Sequence, residues 1–170
     1  MFTKTDIEKF FIAEKQISLL FIIISIAAIV VAAMCWFVWS TQFCKGVALS
    51  LFVMAIVQLS ISVDIYLNSN KNRINVVYAF DMNPNELKLK ELPRIEKQAK
   101  KIVALTFVST ALLVIGAALF FYSLNKTDKQ FLAGIGAAMI VFSIIVLSIH
   151  FFSQKRVSTY KQQLREFVKR

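Results

Sequence analysis

The sequence predicts an all-α, polytopic membrane protein whose four transmembrane helices form two antiparallel hairpins, with amphipathic cytoplasmic helices at both termini. Hydrophobic residues make up 58% of the 170 residues, and the mean hydropathy is +0.65. Soluble domains contain only about 45–50% apolar residues. Four stretches reach the roughly 20 apolar residues that cross ~30 Å of hydrocarbon. These four predicted spans, within a single membrane domain of residues 1–170, are residues 17–39, 46–67, 102–123 and 131–152.

The residues before the first span, 1–16, predict a short amphipathic helix in the membrane interface. Thr5 and Glu8 fit the T-x-x-E pattern of a helix capping box. Ile7, Phe10 and Phe11 follow at helical spacing and form an apolar stripe. A straight continuation of the first span is the alternative, and a bend near Gln16 distinguishes the two.

The segments between spans differ in length. Residues 40–45 and 124–130 are short, which makes the spans that they join antiparallel neighbours. Residues 68–101 are longer and polar, and we expect a cytoplasmic loop that begins where Asn68, Ser69 and Asn70 end the second span. The stretch INVVYAF at 74–80 is compatible with a strand, with a helical turn or with a segment that contacts the membrane surface.

The later part of this segment contains two prolines. Residues 81–84 (DMNP) predict a turn, because proline disfavours helix at the preceding residue. Pro93 suits the first turn of the next helix. Glu96 and Lys100 lie four residues apart and predict an ion pair along that helix.

Basic residues are distributed unevenly between the polar segments. Seventeen of the 20 Lys and Arg lie before the first span, in residues 68–101 or after the last span, and three lie in the other two connections. This positive-inside pattern predicts that both termini and residues 68–101 are cytoplasmic. Contact with anionic lipid explains the net charge of +10 without nucleic acid.

The basic tail, residues 153–170, predicts an amphipathic cytoplasmic helix that binds a protein partner or lipid. Its apolar residues recur at spacings of 3, 4 and 3, which places them on one helix face. The tail contains six basic residues and one acidic residue, so lipid is the alternative ligand. The predicted surface consists of Val157, Tyr160, Lys161, Leu164, Arg165 and Phe167.

Asp64 and His150 are the candidate intramembrane polar pair. Each lies within three residues of the predicted cytoplasmic end of its span, so both fall in the same membrane layer. An Asp–His pair would form a proton- or cation-responsive site. An interhelical hydrogen bond, or two unrelated interfacial residues, is the favoured interpretation, because charge costs little near the interface.

Small and amide residues predict helix packing within the membrane. Gln58 lies near the middle of its span, and Gly116, Gly134 and Gly136 lie towards the outer side of the last two spans. Such residues allow close backbone approach or interhelical hydrogen bonds, first within the hairpin and alternatively in a homo-oligomer. Cys35 and Cys44 are interpreted as small apolar residues, with a disulfide as the alternative.

The sequence contains none of the usual motifs of enzymes. The chain has one histidine and lacks the GxSxG, GxxxxGK[ST] and HExxH motifs. We therefore expect no catalytic residues, no cofactor site and no metal site.

The stretches FTKTDIEKFF at 2–11 and DMNPNELKLKELPR at 81–94 resemble small uncharacterised bacterial four-span inner-membrane proteins. The resemblance covers most of the chain and implies no activity. The sequence therefore predicts a non-catalytic protein that binds a partner at the membrane, as an immunity, accessory or assembly protein. A small channel or transporter formed by homo-oligomers is the alternative from another class.

Overall fold

The computed structural model describes residues 2–124 and 126–169, with the backbone alone at Thr127, and every regular element in them is helical. Predicted segments that include Met1, Asn125 or Arg170 lie partly outside this range. Short helical turns extend or connect the main helices, at Cys35–Trp39, Leu87–Glu91 and Thr127–Lys129. The main helices are α1 (Lys4–Met34), α2 (Gln42–Met82), α3 (Pro84–Glu86), α4 (Leu92–Ser123) and α5 (Gln130–Val168).

Four of these helical segments are long and apolar enough to cross a membrane. Each contains one predicted span, so the all-α class and the four candidate spans are confirmed, and the chain is by length and composition a multi-pass membrane protein. At 1.5 Å per residue, the 41 residues of α2 extend about 60 Å, roughly twice the ~30 Å of bilayer hydrocarbon. The helices therefore continue well beyond the predicted spans.

The two ends of the molecule differ in charge. We call residues 2–16, 68–101 and 153–169 the basic end, and residues 35–45 and 122–130 the opposite end. Trp36, Trp39 and Tyr122 are about half exposed at the opposite end, where aromatic side chains suit a membrane surface.

α1 begins earlier than the sequence pattern predicts. Its N-cap is Thr3, whose side chain accepts a hydrogen bond from the Asp6 amide, while the Asp6 carboxylate accepts one from the Thr3 amide. Thr5 and Glu8 lie inside the helix. The helix then runs unbroken through Gln16, so residues 4–16 extend the first span instead of forming a separate interfacial helix.

α2 continues for 15 residues past the predicted end of its span, and the expected loop is helical. Asn68 bonds its own helix at Asp64, and the Ser69 hydroxyl donates to the Phe11 carbonyl. These side chains are therefore satisfied without breaking the helix. Of the predicted turn at 81–84, only Asn83 leaves the helical region: α2 ends at Met82, and Pro84 opens α3.

The long helices pack against one another and enclose an apolar core at the basic end. α1 packs along α2, from Lys4 beside Asp81 to Cys35 beside Ala48, and α4 packs along α5. α2 also packs against α5, whereas α1 touches α5 only slightly. Residues from the basic ends of all four long helices, and from the turn before α4, form this core: Phe2, Ile7, Phe10, Phe11, Val76, Ala79, Leu87, Ile95, Val157, Tyr160 and Leu164.

Candidate functional site

A cavity of about 80 Å³ lies between the four long helices, where the predicted spans meet the basic end. This is room for several water molecules. We call it the junction cavity. Its wall combines apolar side chains with charged and amide groups from all four helices: Phe10, Glu14, Ile17, Ser18, Phe21, Gln58, Ile61, Ser62, Ile65, Gln98, Lys101, Ile102, Leu105, His150, Ser153, Arg156 and Val157.

A hydrogen bond between Glu14 of α1 and Gln98 of α4 crosses the cavity wall. The Gln98 amide donates to the Glu14 carboxylate at 2.5 Å, and the Arg94 guanidinium donates to the Gln98 carbonyl oxygen at 3.4 Å. Burial raises the pKa of the Glu14 carboxyl, and the nearby charge of Arg94 only partly offsets this. These bonds join α1 to α4, two helices that otherwise hardly touch.

Next to the cavity, Glu91 is 97% buried and fully compensated. The Arg94 guanidinium donates two bonds of 2.7 Å to the two Glu91 oxygens, and the Tyr160 hydroxyl donates at 3.2 Å. Burial lowers the pKa of Arg94, but the bonds and charge of Glu91 outweigh it, so the net pKa is raised. Burial, reinforced by the charge of Glu91, raises the pKa of Tyr160 far above its usual value. This group stabilises the fold.

Arg156 contrasts with Arg94, because it forms no close ion pair. No carboxylate in residues 2–124 and 126–169 lies within 4.0 Å of its side-chain nitrogens. Burial lowers the pKa of Arg156, the charge of Glu14 partly offsets this, and the guanidinium stays protonated at neutral pH.

At the end of the cavity nearest the membrane, His150 is 95% buried against the edge of Phe21, with ring centroids 5.6 Å apart. Its Nδ1 atom has no hydrogen-bond partner among the described residues, as is also true of the Ser25 and Ser143 hydroxyls. Gln58 and Ser62 also line the cavity and bond each other along α2.

The structure does not bring Asp64 and His150 together. Asp64 is exposed and accepts a hydrogen bond of 2.9 Å from Asn68, whereas His150 faces the junction cavity. Asp64 instead lines a second cavity of about 340 Å³ between α2 and α4. The two cavities share Glu14, Ile65, Gln98 and Lys101.

The predicted packing glycines lie at two helix crossings. Gly116 and Gly136 face each other between α4 and α5, and a Cβ on Gly136 would lie 2.6 Å from the Gly116 carbonyl oxygen. Gly134 packs on the backbone of Phe43 in α2 and leaves no room for a side chain. Both crossings lie towards the opposite end, where they close the bundle tightly.

Cys35, also near that end, is a buried free thiol packed with Cys44.

The tail surface predicted to bind a partner is covered by the chain itself. Val157, Tyr160 and Leu164 are at least 96% buried in the apolar core of the basic end, and Phe167 packs against them. Arg165 pairs with Glu96 of α4, which replaces the predicted Glu96–Lys100 pair. The apolar side chains of the tail do share one helix face, as predicted. That face packs against the other helices of the same chain, so it is not a free docking surface.

A different apolar surface is exposed at the basic end, which we call the α2 stripe: Ile74, Tyr78 and Met82. These side chains are 62–70% exposed and lie four residues apart on one helix face. They follow the predicted span by 7 to 15 residues, about 10–22 Å along the helix. On the predicted span bounds, these side chains therefore lie beyond the bilayer hydrocarbon.

Sequence reasoning missed Glu14, Glu91, Arg94, Gln98 and Arg156. Helical spacing was the available signal for three of them, since Glu91, Arg94 and Gln98 lie on one face at intervals of three and four. Whether that face is buried depends on how α4 packs, which the spacing leaves undetermined.

Within the described residues, no group of three or more metal-ligating side chains comes together. Comparisons with known proteins return no match: no family model matches the sequence, and no curated protein or solved structure is significantly similar to it.

Proposed function

We propose that this chain is a non-catalytic protein of the bacterial cytoplasmic membrane that binds a protein partner through the α2 stripe. In this proposal the spans form two hairpins, and the basic end lies in the cytoplasm. Its mode of action is that of accessory, assembly or immunity proteins, which act by contact. The observation that carries the proposal is the exposure of Ile74, Tyr78 and Met82, which follow the predicted end of the second span.

Charged side chains of both signs flank the stripe. Lys71 lies exposed one turn before Ile74, and Glu8, Arg73 and Asp81 lie beside Ile74 and Tyr78. The chemistry fits a partner that presents an apolar helix face bordered by charged side chains.

The channel or transporter alternative has weaker support. No described residue of the opposite end lines the junction cavity. The glycine crossings pack the helix backbones closely towards the opposite end. A cavity that does not extend to the opposite end supports binding more than conduction.

The test compares variants of the stripe with a matched exposed apolar residue of the same end. Tyr78→Ser and Met82→Ser together should remove the copurifying protein from mild detergent extracts and leave the melting temperature within a few degrees, since surface changes usually cost little. Ile12→Ser on α1, also exposed, should retain the partner. The proposal fails if the double variant keeps the same partner at the same stoichiometry, or if a second copy is the sole companion.

A further inference from the structure

Two cysteines lie on either side of the short connection between α1 and α2. Cys35 begins the helical turn that extends α1, and Cys44 lies in the first turn of α2. Cys44 packs against the apolar cluster that Cys35 forms with Ala32 and Ala48. Among the described residues, Cys44 is the one ionisable side chain that interacts with the Cys35 thiol. The fold therefore brings together two thiols that residues 36–43 separate in the sequence.

The small neighbours of the two cysteines allow α1 and α2 to approach closely. Ala32 and Ala48 are each 3% exposed, and neither has a side-chain atom beyond Cβ. Close approach matters, because a disulfide requires Cα atoms about 4.4–6.8 Å apart. The side chain of Thr41 also accepts a hydrogen bond of 3.1 Å from the Cys44 amide, which fixes the start of α2. The contact between the helices therefore suits a bond between the two sulfurs.

The two thiols differ in how far solvent reaches them. Cys35 is 6% exposed, whereas Cys44 is half-buried. A protein-sized oxidant therefore reaches the sulfur of Cys44 first, and the Cys35 sulfur is accessible mainly from its neighbour. This order favours a bond within the chain over a bond to a second molecule, because a disulfide formed on Cys44 is resolved by the thiol packed beside it.

The compartment decides whether such a pair is oxidised. This step rests on the orientation in the proposed function, in which the basic end is cytoplasmic and the opposite end faces outwards. Both cysteines lie at the opposite end. Disulfides form and persist in the bacterial periplasm, whereas the cytosol keeps thiols reduced.

We propose that Cys35 and Cys44 are a site of disulfide formation, oxidised by a thiol–disulfide exchange protein of the outer compartment. The Cys44 thiolate attacks the donor's disulfide, whose S–S bond breaks and releases one donor thiolate. The Cys35 thiolate then attacks the Cys44 sulfur, forms the bond between the two cysteines and releases the second donor thiolate. The chain gives up two electrons and two protons, and the donor becomes a dithiol.

The bond would hold the connection between α1 and α2 in its folded form. Ser40 in this connection has a φ of 41°, a left-handed conformation that residues other than glycine rarely adopt. A disulfide across residues 36–43 restricts the unfolded connection and so stabilises the folded contact between the helices. The gain is modest, because the closed loop is short.

The first measurement traps the thiols of the full chain in intact cells. Cells are quenched with acid, free thiols are blocked, and disulfides are then reduced and labelled with a polyethylene glycol maleimide that retards the chain on a gel. We expect two labels on the full chain after reduction, and none when the reduction is omitted. In the single variants Cys35→Ser and Cys44→Ser, the remaining thiol should be blocked and take up no label.

The second measurement treats the purified full chain in a neutral detergent with oxidised glutathione. We expect a monomer without free thiols and without bound glutathione, and a melting temperature that falls when the bond is reduced. The matched control combines Cys35→Ser with Phe37→Cys, which moves the thiol within the same turn to a position where the side chain is 79% exposed. This control should retain bound glutathione, because its new thiol does not pack against Cys44.

Three results would overturn the proposal. Thiols that stay free in cells would show that the pair is not oxidised there. Glutathione adducts or disulfide-linked dimers of the purified chain would show that the two sulfurs do not meet. Complete bond formation in the Phe37→Cys control would assign the bond to the short connection and not to the packing of Cys35. None of these results bears on the α2 stripe, which lies at the basic end and is tested by copurification.

Discussion

Glu91 is a carboxylate outside the predicted spans that the fold buries almost completely. Taking such a charge out of water costs several kcal/mol unless a partner compensates it. Arg94 supplies a two-bond pair from one turn along the helix, and Tyr160 adds a third bond from α5. The group therefore fixes how α4 and α5 pack at the basic end.

Removal of Arg94 should be strongly destabilising, because Glu91 would then be buried and unpaired. We expect Arg94→Met to lower the free energy of unfolding by about 3–5 kcal/mol, as the loss of one partner of a buried pair does. Addition of Glu91→Gln should restore most of that loss, since it removes the uncompensated charge. Denaturant titration in detergent micelles measures both, and equal stability of the single and double variants would contradict the interpretation.

At the residue scale, the sequence predicted which tail residues share a helix face, but it did not predict what that face contacts. Val157, Tyr160 and Leu164 do share one face, as their spacing predicts, and that face is buried. Periodicity identifies an apolar face, but it does not identify what covers the face. Here the cover is the aromatic side chains of α1 in the same chain, with Phe10 stacked on Tyr160 at 4.0 Å.

At the scale of elements, the apolar runs predict the four long helices well, because hydrocarbon requires continuous helix. They predict the helix ends poorly. Asn68 to Asn70 have low helix propensity, yet α2 passes through them, because Ser69 packs against Phe11 and Asn68 bonds back to Asp64. Pro84 ends α2 as predicted, since proline restricts the backbone before it in any context.

The crossing of α2 and α5 depends on a glycine that has no room for a side chain. We expect Gly134→Ala to lower the free energy of unfolding by about 1–3 kcal/mol, because the new methyl group would overlap the Phe43 backbone and separate the helices. Ser148→Ala, at an exposed position on α5, is the control and should have little effect. Thermal unfolding in detergent compares them, and two equal changes would show that the crossing tolerates a Cβ.

At the scale of the whole molecule, the fold separates two environments. The spans present exposed apolar side chains such as Phe107, Val114 and Phe151, which suit lipid. The basic end has an aromatic core like that of a soluble domain, and the α2 stripe lies there. The proposed function therefore depends on which side of the membrane the basic end faces.

The charge distribution predicts that side, and cysteine accessibility in intact cells measures it directly. In a background without Cys35 and Cys44, single cysteines at Lys88 and Lys126 report the two ends, and both positions are exposed. A membrane-impermeant maleimide should label position 126 in intact cells, and position 88 only after the membrane is permeabilised. Labelling of position 88 but not of position 126 in intact cells would place the basic end outside and contradict the account.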